Sequence, residues 1–176
     1  DLQPMVDADG LDMSKYPQSL VNLYSYQGDV YGLPKDFDTI ALFYNKDLFD
    51  KAGVAYPDDT WTWADLTEAA KKLTDPAAGV WGFASTLEDQ SNYWNFIFQN
   101  GGQVISEDGS KTMFDDPATC EALQYAYSFV ADGTSPDGAT MSSVDPATQL
   151  FPGGKVAMIT AGSWMVKPYA ESGLNI

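Results

Sequence analysis

Histidine is absent from these 176 residues, and cysteine occurs once, at Cys120. With no imidazole and a single thiol, zinc sites, Cys–His nucleophiles and the Ser–His–Asp triad fall away. One cysteine forms no internal disulfide, so cysteine usage carries no information about compartment. Cationic side chains are scarce as well: 9 basic residues stand against 25 acidic ones, for a formal net charge of -16. Nucleic-acid binding needs several basic residues gathered on one face, and no such cluster exists, so that class is excluded. The acidity itself speaks mainly to solubility. No apolar run approaches the roughly 20 residues of a membrane span, which marks the chain as not membrane-spanning, and no signal peptide is recognisable.

What is present suffices for a packed core. Hydrophobic residues make up 44% and aromatics 14% of the chain, a globular composition at a length that supports one good core or slightly more than one domain. The chain starts at Asp1 without an initiator Met and stops at Ile176 shortly after Gly173. An internal fragment of a larger protein is therefore expected.

The organising stretch is Tyr31 to Gly53, YGLPKDFDTIALFYNKDLFDKAG. Val30–Leu33 and Ile40–Tyr44 read as strands, joined by a polar crossing that begins at Pro34. If the crossing is extended, Asp36 and Asp38 point the same way, because strand side chains alternate. Upstream the pattern is weak: Tyr16-Pro17-Gln18-Ser19 opens a short amphipathic turn carrying Leu20, Val21, Leu23 and Tyr24, and Gly28-Asp29 reads as a hairpin turn. Asp7, Asp9 and Asp12 do not form a calcium loop, since Gly10 is misplaced and the closing glutamate is missing.

Downstream, Asn45 or Lys46 starts a helix that Gly53 stops as a left-handed C-cap. Thr62 and Asp65 form a capping box for a helix burying Leu66, Ala69, Ala70 and Leu73. Val80–Ser85 is β-compatible and empties into a polar loop, Thr86 to Asn92. Tyr93–Gln99 reads as a buried helix stopped by Asn100-Gly101-Gly102, and Gln103–Phe114 as a hairpin about Asp108-Gly109. Asp116-Pro117 starts a helix with a core stripe of Cys120, Leu123, Tyr127 and Val130, Cys120 being simplest as a buried small hydrophobe. Residues 134–143 read as loop. Asp145-Pro146 starts a short helix, Lys155–Thr160 is a strand, Ala161-Gly162 a tight loop, and Ser163 caps a last helix that Pro168 interrupts. Strands alternating with helices make this an α/β chain.

In open α/β sheets, ligands bind beyond the carboxyl ends of strands. Three such loops carry carboxylate, amide or hydroxyl groups beside an aromatic ring: Asp36 and Asp38; Glu88 to Asn92, including Asp89, Gln90 and Asn92, followed by Tyr93 and Trp94; and Gly162-Ser163-Trp164. That mixture suits a sugar, whose hydroxyls need planar donors and acceptors while its CH faces lie on an aromatic plate. Each group also has a plainer reading. Trp61 and Trp63 flank a helix start and are best read as packing residues, Trp94 sits in an apolar helix where core is the simpler role, and the two aspartates could be solvated turn residues.

These residues resemble those of the extracellular, periplasmic-type solute-binding proteins of ABC importers, in sugar-binding family 1, the branch that includes maltose-binding protein. The motifs that carry the resemblance are YGLPKDFDTIALFYNKDLF (31–49), TWTWADL (60–66), NGG (100–102) and FPGGKVAMITAGSW (151–164), in order over nearly the whole chain. The resemblance implies a periplasmic-binding-protein type II-like α/β fold, of which this chain is a fragment containing mostly the second lobe. Residues 1–36 would end a first-lobe segment, 37–39 cross the hinge, and 40–176 build most of the second lobe, ligand being trapped when the lobes close. Position by position, Asp38 resembles the hinge-side acidic sugar contact, Asp89 a second-lobe acidic contact and Trp164 the plate under a sugar ring. Gln90, Asn92, Tyr93, Trp94 and Asp36 match more loosely.

The function implied is non-enzymatic capture of a carbohydrate, an oligosaccharide for preference, for delivery to the membrane permease subunits of an ABC importer. The location implied is extracellular or periplasmic, with or without a lipid anchor. No cofactor is expected. Two alternatives stay open on the sequence: a glycoside hydrolase fragment, since paired carboxylates with tryptophans also describe such sites, and a binder of a non-sugar small molecule on the same fold. Residues 1–30, without the sheet they would join, are expected to expose apolar surface.

Overall fold

Val156–Gly162 is buried at six of its seven positions, the signature of a central strand covered on both faces. In the computed structural model, which describes residues 1–176 apart from the side chain of Asp89, this strand is the middle of a three-stranded sheet. The chain divides into two compact units, Asp1–Asp38 and Thr39–Ile176.

The first unit holds two short helices, α1 (Gln3–Asp9) and α2 (Gln18–Leu23), with a single 3-10 turn at Met13–Lys15 between them. A two-residue hairpin follows, β1 (Ser25–Tyr26) and β2 (Asp29–Val30), paired antiparallel. Its turn lies at Gln27-Gly28, one residue earlier than the sequence suggested. Both residues have positive φ, 53° and 96°, as a primed turn requires to match strand twist. The expected strand over Val30–Leu33 is likewise corrected: only Val30 belongs to a strand, and no regular structure follows until Ile40. The buried hydrophobic side chains here are Val6, Val21 and Val30, while Met5, Leu23, Tyr26, Tyr31 and Phe37 are exposed.

The second unit opens with β3 (Ile40–Tyr44) and α3 (Lys46–Ala52). Asn45 caps α3 by accepting from the Leu48 N–H, and Gly53 closes it in the left-handed region. Next come α4 (Trp63–Leu73), with the expected capping box and buried face, and β4 (Trp81–Ala84). The polar stretch after β4 is not open loop; residues Asp89–Tyr93 form a π-helical turn that runs straight into α5 (Trp94–Gln99). The expected hairpin at 103–114 is reduced to one isolated bridge, Ile105 to Thr112.

The next helix, α6 (Pro117–Ala131), is capped by Asp116 as expected, but its buried face is Thr119, Ala122, Ala126 and Phe129. The predicted stripe was one residue out of phase; Cys120 is half-buried, and its Sγ donates to the Phe114 carbonyl. A short helix, α7 (Gly138–Ser143), stands where loop was expected, because Asp137 accepts from the Thr140 N–H and caps it. A π-helical turn at Pro146–Leu150 leads to β5 (Val156–Gly162), which continues through Ala161-Gly162 instead of turning there. A 3-10 turn, Ser163–Met165, then enters α8 (Val166–Glu171). Pro168 lies in the first turn of α8, where no intrahelical N–H bond is lost, so it does not interrupt the helix.

The sheet order is β3-β5-β4, with β4 parallel and β3 antiparallel to β5. One face packs Phe83 and Met158 against α3, α4, α5 and α6. The other packs Ala84, Ile159 and Ala161 against Phe151 and Tyr169 of α8. Burial holds the Tyr169 phenol in its neutral form far above the usual tyrosine range.

Candidate functional site

Parallel β4 and β5 deliver their carboxyl ends to the same end of the sheet, and antiparallel β3 starts there, Ile40 lying opposite Gly162. The loops after β4 and β5 are therefore neighbours. Between them, over the ends of the strands, is a cavity of about 220 Å³. Thr86, Glu88 and Ser91 line it from the segment after β4, Asp145 and Thr148 from the turn before β5, and Thr160, Ala161, Trp164 and Met165 from the end of β5 and the turn after it. Among the described residues, neither lysine nor arginine lines it.

The walls are held by short-range bonding. Ser91 Oγ donates to Glu88 Oε2 at 2.7 Å, bending the post-β4 segment back on itself. In the turn before β5, Asp145 Oδ1 accepts from the Thr148 N–H at 2.6 Å and the Thr148 hydroxyl at 2.7 Å, and so caps the turn that carries both residues. Trp164 is 49% exposed on the 3-10 turn after β5. That turn is tied down by the Ser163 N–H, which donates to the Thr39 carbonyl at 3.0 Å.

The residues expected from sequence separate by environment. Asn92 is fully buried: its Oδ1 lies 3.2 Å from Ser85 Oγ, and its Nδ2 donates to Thr160 Oγ1 at 3.3 Å. It ties the post-β4 segment to β5, underneath the cavity. Tyr93 and Trp94 are half-buried and pack on the helix-covered face of the sheet, and the Trp94 Nε1 is buried with no hydrogen-bond partner among the described residues. Gln90 is exposed, its carbonyl accepting from Asn95 Nδ2 at 2.9 Å. The side chain of Asp89 lies outside the described residues. In the first unit, Asp36 is exposed and paired with Lys35 at 2.7 Å, which raises the lysine's pKa, with a smaller contribution from Asp38. Asp38 is also exposed.

Of the described cavity lining only Trp164 was in the candidate set; Glu88, Ser91, Asp145 and Thr148 are among the polar residues that the sequence left out. Glu88 and Ser91 stood in the polar loop singled out, but nothing local ranked them above their neighbours. Asp145 carried only a helix-cap signal, and nothing local placed it at the same cavity as Glu88. Trp61 and Trp63 pack as expected: Trp63 stacks on Tyr125 at 4.2 Å and 7°, and its Nε1 donates to Gln99 Oε1. Burial pushes Tyr125 up to about 12. Among the described residues, no group of three or more His, Cys, Asp or Glu side chains is placed to hold a metal ion, and no helix is long and apolar enough to cross a membrane.

Comparison with known proteins identifies the family and the fold. An ABC substrate-binding protein of Listeria monocytogenes, solved in complex with cycloalternan, superposes with a TM-score of 0.87 at 35% identity, over 99% of this chain and 45% of that one. The sn-glycerol-3-phosphate-binding periplasmic protein UgpB of Brucella abortus (strain 2308) is 30% identical over 93% of this chain and 39% of its own length. The arabinooligosaccharide-binding protein of Bacillus subtilis (strain 168) is 31% identical over 76% of this chain and 30% of its own. The chain thus spans less than half the length of these relatives, with the periplasmic-binding-protein type II α/β fold expected from its motifs. Residues 1–176 match the family description "Bacterial extracellular solute-binding protein" throughout, and the chain belongs to that family.

Proposed function

We propose that this chain is part of the substrate-binding component of an ABC importer, that its ligand is an uncharged carbohydrate, and that the cavity beside Trp164 supplies one wall of the sugar site. The observation that carries the reading is the half-exposed Trp164 indole at a cavity whose other polar groups are hydroxyls and carboxylates. An indole face accepts the CH face of a sugar ring, while carboxylate and hydroxyl oxygens accept and donate to its hydroxyl groups. The solved relative that binds cycloalternan and the relative named for arabinooligosaccharides support the same class.

The UgpB relative raises a phosphorylated ligand as the competing reading. Phosphate is held by cationic forks or clustered N–H groups. The lining here offers Glu88 and Asp145 and no cation, and the chain contains no arginine at all, which favours a neutral ligand. The protein binds and releases its sugar without cleaving it, outside the cytoplasmic membrane, and passes it to permease subunits.

Within this reading residues 1–36 end a first-lobe segment, 37–39 are the crossing and 40–176 form most of the second lobe. The change of unit between Asp38 and Thr39 supports that division. Asp36, Asp38, Asp89, Gln90, Tyr93 and Trp94 stay candidate contacts by resemblance, each to be tested by its own variant. Asn92 acts beneath the cavity by anchoring the loop.

Calorimetry on the full-length protein tests the proposal, with maltotriose and arabinotriose as neutral probes and sn-glycerol 3-phosphate as the charged one. A neutral sugar should bind, and Trp164→Ala should weaken it by about 1–3 kcal/mol, the range of other aromatic stacking contacts. Binding of the phosphate alone would overturn the ligand class, and an unchanged affinity in Trp164→Ala would remove the indole from the site. Release of new reducing ends from the oligosaccharides would indicate a hydrolase instead.

A further inference from the structure

Nothing in the backbone at residue 162 calls for glycine. Gly162 is extended, with φ −79° and ψ 164°, a region open to every L-residue, and it pairs with Ile40 as any strand residue could. What a side chain would meet is Trp164: a Cβ on Gly162 would overlap the six-membered ring of the indole at Cε3, Cζ3 and Cη2. The ring therefore lies directly against the main chain two residues before its own, in a recess that exists because residue 162 has no side chain.

The recess does something a half-exposed tryptophan otherwise lacks. No aromatic pair among the described residues includes Trp164, so no neighbouring ring braces it. The main chain on either side is held, by the bond from the Ser163 N–H to the Thr39 carbonyl and by burial of Met165. With the backbone fixed and one part of the indole seated on Gly162, the plane of the ring is set at the cavity before any ligand arrives. A free rotor would have to be immobilised on binding, at a cost in affinity.

We infer that Gly162 is a positioning residue for ligand recognition: its missing side chain is the seat of the Trp164 indole and holds the plate preorganised. This rests on the reading of Trp164 as a sugar plate. The seat acts through the ring alone, which separates it from a glycine needed by the fold. Gly82 is the contrast, since a Cβ there would overlap the main chain of Ala70, which has no rotamer to escape into.

The test is a double-mutant cycle in the full-length protein, read by calorimetry with maltotriose and arabinotriose and, without ligand, by fluorine NMR of 5-fluorotryptophan-labelled protein, the Trp164 signal being assigned from Trp164→Phe. Gly162→Ala should move the Trp164 resonance in the unliganded protein and weaken the bound sugar by roughly tenfold. In a Trp164→Ala background the same substitution should cost nothing further. An unmoved resonance with parental affinity in Gly162→Ala, while Trp164→Ala binds weakly, overturns the seat and leaves the plate standing. An equal loss in both backgrounds also overturns it, because Gly162 would then act by another route. Parental affinity in Trp164→Ala overturns the plate reading itself, and the inference with it. Should Gly162→Ala fail to fold, Gly162→Ala/Trp164→Ala decides: a folded double variant identifies the indole as the obstacle and supports the seat, and an unfolded one overturns it.

Discussion

Gly82 shows how little room a strand can leave. It lies in β4 where the strand meets α4, close enough that a single methyl would collide with the carbonyl, carbonyl carbon and Cα of Ala70. Its own N–H donates to Thr74 Oγ1 at 3.0 Å, which fixes the strand at that distance. Gly82→Ala should therefore destabilise the second unit by about 1–3 kcal/mol, the usual cost of overpacking, seen as a lower urea midpoint with an unchanged slope. A midpoint equal to that of the parent would mean that strand and helix are not in contact there.

A carboxylate gives a second prediction at this scale. Asp108 accepts from the Ser106 hydroxyl at 2.7 Å, the Ser110 N–H at 3.0 Å and the Ser110 hydroxyl at 2.8 Å. These bonds favour the ionised form and lower its pKa from 3.8 to about 2. Because the folded value lies below the unfolded one, the contribution to stability is complete above the ordinary carboxyl range and is lost as pH falls towards about 2. Carboxyl NMR should place the Asp108 midpoint near the lower value, and an ordinary midpoint would show that the turn does not hold in solution.

At the scale of elements, α4 is the case in which local chemistry is enough. The Thr62 N–H donates to Asp65 Oδ2 at 2.7 Å, and the Asp65 N–H returns a longer bond of 3.4 Å to Thr62 Oγ1. Thr62→Ala should cost about 1 kcal/mol by chemical denaturation; no loss at all would show that the box is ornamental to the helix. The start and buried face of α4 were legible because the cap, the box and the apolar spacing agree. In α6 they did not all agree. The sequence PATCEALQYAYSFVA offers two stripes, and the one with the larger side chains is the one that stays nearer water. Ala122 and Ala126 are fully buried instead, since small residues let α6 approach its neighbours closely and leave Tyr127 exposed. Periodicity counts hydrophobic residues, but it does not know how far apart two helices will sit. In the same way α7 escaped notice, because GATMSS has almost no apolar signal and its cap at Asp137 looks like any turn aspartate.

At the scale of the whole molecule, the two units differ in what they bury. The second has a sheet packed on both faces by apolar side chains, and the first buries Val6, Val21 and Val30 with no disulfide to help. A 38-residue piece with so little core is not expected to be stable by itself. A variant starting at Thr39 should keep a cooperative melt within about 5 °C of the parent chain, on the scale by which 1 kcal/mol moves a domain of this size a few degrees. Amides of residues 1–38 should exchange faster than those of β5. Equal protection in both units would sink this picture.

By itself the sequence determined the composition limits, the helix caps, the alternation of strand and helix and the chain of motifs that carries the family. Each of these is written in residue type or acts over a few residues, through side chains that bond their own backbone or glycines that free it. The site was legible only in outline. Trp164 and the post-β4 loop could be singled out, yet Asn92 in that loop is buried because Thr160, 68 residues away, receives its amide. Asp145, on the turn that precedes β5, lines the same cavity as Glu88 of the post-β4 segment, 57 positions earlier in the chain, a meeting that no local pattern foretells. The tertiary structure decided which polar side chains meet the cavity and which serve the core, since exposure depends on what packs above a residue, and that neighbour is set by strand pairing across long sequence distances.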